Sequence, residues 1–149
     1  EVYKDIDHIN EECPLVLDEA IKYFYGENLG FEFYVEKHNK FKSYYVDRIY
    51  EYEQIIVYFI FRYFMKAVFD YDVSAKIKMA VISMLIIEEL DVVRWCKNNE
   101  EFSLNSQVDI VKLYSKDIEH SEENVESLYE SFETNSIFSF ENLLTIINN

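Results

Sequence analysis

The sequence predicts an all-α fold, a single bundle of about six to seven helices around two long antiparallel apolar helices. Three observations carry that prediction. Gly26, Gly30 and Pro14 are the only glycines and proline in 149 residues, whereas the turns of a β domain this long would consume many more. Half of the residues are apolar and 17% are aromatic, enough to bury a core and well above a disordered polymer. Apolar positions also recur every three or four residues along most of the chain, which is the rhythm of a helix with one buried side.

The elements follow in order. Residues 1–13 read as a weakly helical lead-in. Pro14 suits a first helical position and Gly26 a C-terminal cap, which brackets Pro14–Tyr25 as a short helix. Tyr34, Val35, His38, Phe41 and Tyr45 keep helical spacing from Phe31 to about Tyr45. Asp47 stands where it can cap a third helix, roughly Arg48–Phe69. That helix is apolar around most of its circumference, with Glu51, Gln54, Tyr58, Arg62 and Lys66 in one polar stripe about 120° wide.

Asp70-Tyr71-Asp72 is a short connection, so the third and fourth helices are expected to lie antiparallel. Asp72 or Ser74 caps the fourth helix, which runs to about Asn98 and is apolar on every face from Met79 to Ile87. The hub is therefore expected where two rods centred near Phe61 and Leu85 meet. Ser103 opens a fifth helix with Leu104, Val108, Val111, Tyr114 and Ile118 on one side. Ser121 opens a sixth, with Val125, Leu128, Tyr129 and Phe132 as its seam and Glu122, Glu123, Glu126, Glu130 and Glu133 off it. Ser139 caps a last short helix through Ile147. No repeat, low-complexity tract or linker interrupts the chain, and residues 1–149 read as one domain.

The formal net charge of −15 excludes some partners. The last third carries eleven acids against Lys112 and Lys116 alone. Such a surface repels phosphate backbones and anionic lipid, so neither nucleic acid nor membrane is an expected partner. The longest uncharged runs, Gln54–Phe61 and Met79–Ile87, fall far short of the roughly 18 apolar residues of a membrane span. Cys13 and Cys96 are the only cysteines; they make neither a disulfide framework nor a cysteine-based metal site, and a reducing cytoplasm is expected. The chain opens at Glu1 without an initiator Met or a signal peptide, which reads as a fragment or a processed product.

Searches for self-contained chemistry come back empty. Two glycines cannot make a G-x-G-x-x-G or a Walker loop, and there is no H-E-x-x-H, C-x-x-C or G-x-S-x-G. His8 with Glu11 and His120 with Glu123 form H-x-x-E pairs, which can place two metal ligands on one helix face. With 29 acids in the chain, chance supplies such pairs readily, and no metal site is assigned. His120 reads first as a helix-end residue bonding a carboxylate or capping. Arg62 sits inside Ile60-Phe61-Arg62-Tyr63-Phe64, where a guanidinium needs a carboxylate; Glu88, Glu89 or Asp91 on the antiparallel neighbour would serve. Its functional alternative is an anchor for the carboxylate of a cofactor or substrate. Cys13, before Pro14 at a helix start, is where a thiol pKa tends to fall; Cys96 reads as core. The aromatic run from Tyr58 to Phe64 reads as packing.

From about Tyr50 the wording resembles a known family. The residues that carry it are Tyr50-Glu51-Tyr52-Glu53, the stretch from Val57 to Val68, Glu88-Glu89-Leu90-Asp91, the stretch from Leu113 to Asn124, and Phe138-Ser139-Phe140-Glu141-Asn142-Leu143-Leu144. Together they resemble the C-terminal region of the flagellin lysine-N-methylase family, over roughly the last two-thirds of the chain. The resemblance implies a bacterial enzyme that transfers methyl groups from S-adenosylmethionine to lysines of flagellin. It also implies a cysteine-rich cluster, holding metal or iron–sulfur, in an N-terminal part absent here. The chain would then be a helical C-terminal domain that scaffolds the enzyme or recognises its substrate, without activity alone. Its partners would be flagellin or its own N-terminal domain, and Arg62, Glu119 and His120, in that order, are the candidates for touching substrate or cofactor. A competing reading is a protein-interaction or dimerisation module using an exposed aromatic patch on the third helix. A ligand-sensing regulator is a third, but it needs an enclosed cavity and a DNA-binding segment.

Overall fold

A computed structural model describes residues 21–24 and 30–147, and all regular structure in them is helical. Residues 21–24 are helical. They lie in the predicted Pro14–Tyr25 helix, the rest of which, with the lead-in, His8, Glu11, Cys13 and Gly26, falls outside the described residues. Helix α1 (Phe31–Tyr45) is followed by a 3₁₀ turn, Val46–Arg48, then α2 (Tyr50–Phe64) and the single turn α3 (Ala67–Asp70). Next come the long α4 (Val73–Lys97) and α5 (Leu104–Tyr114), which runs into a π-helical turn, Ser115–Glu119. The chain continues as α6 (Glu122–Thr134), a 3₁₀ turn Ser136–Phe138, and α7 (Phe140–Ile147).

Four predicted caps are formed. Asp72 accepts from the Ala75 N–H at 2.9 Å, Ser103 from Ser106 at 3.1 Å, Ser121 from Asn124 at 3.2 Å and Ser139 from Asn142 at 3.3 Å. Each satisfies one of the N–H groups that a helix start leaves unpaired. Asp47 does not cap α2; it lies within the 3₁₀ turn, and α2 begins after Ile49 with no side-chain cap. Side chains fasten that entrance instead. Arg48 donates to both oxygens of Glu51 at 2.8 and 3.0 Å, and the Tyr45 hydroxyl donates to the same carboxylate at 2.6 Å.

The predicted third helix, Arg48–Phe69, is also broken. At Met65-Lys66 the hydrogen bonds tighten to three-residue closure, Lys66 N–H to Tyr63 and Phe69 N–H to Lys66, both 2.9 Å. The chain then reverses at Tyr71, which adopts φ 59° in the left-handed region. Lys76, buried at the start of α4, lies 2.6 Å from Asp70 and 4.0 Å from the ring centre of Tyr129, tying the reversal to α6.

α2 packs most extensively against α4. Near the start of α2, the Tyr52 hydroxyl donates to Asp91, near the end of α4, at 2.7 Å. α2 rests on Tyr52, Ile55, Phe59 and Tyr63, which are buried. Phe61, the expected centre of that rod, is 78% exposed. The reason is rotation: at 100° per residue Phe61 lies about 200° from Phe59, on the side no neighbour covers. Within α4, Met79, Ala80, Ile82, Met84, Ile87 and Leu90 are all buried, so this helix supplies most of the centre.

α5 also turns differently from its predicted seam. Gln107, Ile110 and Tyr114 are buried, while Leu104 and Val108 are exposed. The π turn inserts an extra residue into the spiral, so a seam traced back from Ile118 at regular spacing slips to the wrong side. α6 buries Val125, Leu128 and Phe132 and turns Glu122, Glu123, Glu126, Glu130 and Glu133 outward.

Candidate functional site

The π turn presents Glu119 to α2. Its side chain is only 2% exposed. The Tyr58 hydroxyl lies 3.1 Å from both carboxylate oxygens, and the Ser115 hydroxyl donates to Oε2. Arg62, half exposed, brings Nε to 3.6 Å from Oε1. The Arg62 partner is therefore Glu119, not Glu88, Glu89 or Asp91. Burial, with the Glu119 charge second, pushes the Tyr58 hydroxyl above its ordinary value.

His120 ends the turn through its backbone N–H on Ile118, and its side chain is exposed. With Tyr58, Lys112, Ser115, Lys116 and Glu119 it lines an open groove of ≈ 320 Å³. The structure thus brings Arg62 to Glu119 and sets Glu119 and His120 on one groove, whose lining does not include Arg62. Glu119 is already engaged by two hydroxyls and a guanidinium, which suits it to hold the π turn against α2. π turns recur at functional sites.

A second recess lies between α1 and α4. It has a volume of ≈ 450 Å³ and is lined by Phe31, Tyr34, His38, Lys42, Leu85, Glu88 and Glu89, among others. The Tyr34 hydroxyl donates to Glu89 at 3.1 Å. His38 Nε2 stands 3.2 Å from the same carboxylate, close enough for an ion pair but off the line a hydrogen bond needs. Among the described residues Glu88 makes no hydrogen bond or ion pair. Burial pushes its carboxyl above the ordinary range, with Lys42 and His38 pulling the other way. From the sequence, Glu88 and Glu89 stood as partners for Arg62 and as part of the wording shared with the family, not as the wall of a recess. The overlooked signal was the pairing of these acids, directly after the apolar run of α4, with Tyr34 and His38 one turn apart on α1.

A third polar group is sealed inside. Asp91 is fully buried, and burial holds its carboxyl well above the carboxylate range despite the Tyr52 hydrogen bond. Tyr45 bonds Gln107 Oε1 at 2.9 Å, but Gln107 Nε2 and Asp91 Oδ1 have no hydrogen-bond partner. Asp91, Gln107, Tyr45 and Tyr52 are all buried, so the network lies inside the core.

Compared with known proteins, residues 1–146 match the family described as the FliB lysine N-methylase C-terminal domain. The chain belongs to this family. The match extends across the first 49 residues, about which the resemblance from Tyr50 onward made no claim. No curated protein and no solved structure matches the chain.

In this FliB C-terminal domain, among the described residues, no three His, Cys, Asp or Glu side chains converge as ligands for a metal ion. A metal or iron–sulfur group does not fit them. Cys96 is half-buried, and burial pushes its thiol up, away from the reactive thiolate form. No helix among the described residues is long and apolar enough to cross a membrane. The outer side of α2 and α3 does leave Phe61, Met65, Val68, Phe69 and Tyr71 exposed.

Proposed function

We propose that this FliB C-terminal domain is the substrate-recognition and scaffolding end of a lysine N-methylase that moves methyl groups from S-adenosylmethionine to flagellin lysines, and that it is not catalytic alone. The family match over residues 1–146 carries the reading. The Glu119 cluster supports a positioning role, because its carboxylate is already bonded from three directions. The test compares the domain alone with a protein that joins it to the preceding part of the enzyme. Methyl incorporation into flagellin lysines, read by mass spectrometry, is expected only from the joined protein. Equal methylation by the isolated domain, or none by the joined protein, overturns the proposal.

A second reading, a docking or dimerisation module without enzymatic activity, draws on the exposed row from Phe61 to Tyr71. Such apolar patches mark interaction surfaces when contiguous. Sedimentation as a monomer at high protein concentration, unchanged in Phe61→Ser, counts against self-association.

A further inference from the structure

We propose that the groove between α2 and α5 docks an amphipathic helix of a partner protein, one with an apolar stripe and carboxylates along the edge that meets Lys112 and Lys116. The groove has two parts. One, of ≈ 260 Å³, is lined by Ile55, Leu104, Gln107 and Val108, among others; the other, of ≈ 320 Å³, leads past Ser115 to His120. Val111 and Lys112 line both, so the two parts adjoin. α5 and its π turn follow the groove from Leu104 to His120, about 24 Å at 1.5 Å per residue. Along it α5 is turned against its own hydropathy: Gln107 is buried, while Leu104 is 59% and Val108 39% exposed. With Val111 these apolar side chains stand at i, i+4 and i+7, the stripe by which one helix packs on another.

Charge decides the occupant. Two acids stand on the groove walls, Glu51 and Glu119, and both are engaged within the chain. Glu51 accepts from Arg48 at 2.8 Å and from Tyr45 at 2.6 Å; Glu119 is held by Tyr58, Ser115 and Arg62. Lys112 and Lys116, exposed on successive turns, make no hydrogen bond or ion pair among the described residues. They are the only lysines or arginines among residues 98–149, and both border this groove. An incoming helix therefore meets apolar side chains along the floor and uncompensated positive charge along the α5 rim, which acids four residues apart on that helix would match. The formal charge of −15 does not forbid this, because charges farther off than about 8 Å are largely screened at physiological salt. The exposed row from Phe61 to Tyr71 lines neither part of the groove, and the inference draws on neither that row nor the methylase reading.

The full chain is titrated by protein NMR with a synthetic alanine-based helix of about sixteen residues, the length that spans the groove. It bears a stripe of leucines with glutamates along one edge; a second probe carries lysines in place of the glutamates. The glutamate probe is expected to shift α2 and α5 resonances and to bind about tenfold more tightly than the lysine probe, the scale of two exposed ion pairs. That preference should shrink as salt rises. Reversing both charges, Lys112→Glu with Lys116→Glu, should invert the preference, and Leu104→Ser should weaken both probes. All three positions are exposed, so the variants are expected to keep the fold, which far-UV circular dichroism checks. Equal binding of the two probes, shifts confined to other helices, a preference unmoved by charge reversal, or unchanged binding in Leu104→Ser overturns the proposal. So does concentration-dependent dimerisation that Leu104→Ser abolishes, which would make a second copy of the chain the occupant.

Discussion

Removing the Glu119 side chain should destabilise the domain more than removing the arginine paired with it. Three groups converge on this carboxylate. A hydrogen bond to a charged acceptor contributes about 1.5–3 kcal/mol. Tyr58 is 47% exposed, so water replaces part of its bond, and about 1.5 kcal/mol each is a reasonable figure for the Tyr58 and Ser115 hydroxyls. Arg62 is half exposed and 3.6 Å away, which places its contribution below about 1 kcal/mol. Release of the buried charge's own desolvation offsets some of the loss. Glu119→Ala is therefore expected to cost about 2–3 kcal/mol, or about 4–12 °C in melting temperature for a chain this long. Glu119→Gln, which keeps an acceptor oxygen, should cost less, and Arg62→Ala less than about 1 kcal/mol. Urea unfolding followed by far-UV circular dichroism measures all three, and the double variant gives the Arg62–Glu119 coupling. The reasoning fails if Arg62→Ala costs as much as Glu119→Ala, or if Glu119→Ala leaves the midpoint unmoved.

Phe59 is 1% exposed and Phe61 78%, so Phe59→Ala should cost about 3–5 kcal/mol and Phe61→Ala no more than about 0.5; thermal melts of the pair check this, and similar losses would refute the assigned rotation of α2. The Asp91 carboxyl is raised by burial, so the stability it contributes is complete at acid pH and is lost as pH rises through its folded value. The advantage of wild type over Asp91→Asn, from urea midpoints between about pH 4 and pH 8, should therefore shrink as pH rises; a growing advantage would contradict the burial argument. Ser121→Ala removes the cap of α6 and should cost about 1 kcal/mol by the same assay, while Ser121→Asp should recover most of it.

Local signals were the legible ones. The bounds of α1 and the caps at Asp72, Ser103, Ser121 and Ser139 depend on residues within one turn of each other, and those features were readable. The buried side of α2 was not, because its residues are apolar nearly all round and hydropathy cannot tell Phe59 from Phe61; only packing on α4 decides. The same packing puts Tyr52 on Asp91, a pairing no local signal announces. Glu119 was singled out through the resemblance, but its role as the Arg62 partner depends on a π turn that disturbs the period a sequence reader counts on. The recess at Glu88 stayed hidden because its two walls come from helices more than forty residues apart.

The oily flank of α2 and α3 bears on how the isolated domain behaves in a tube. Two molecules that approach with those sides bare each carry a formal charge of −15, and their mutual repulsion reaches about 10 Å in 0.1 M salt but only about 3 Å in 1 M. Brine thus strips away the electrostatic cushion while leaving the greasy attraction intact. Dilute buffer keeps the particles apart, and concentrated salt invites them to clump.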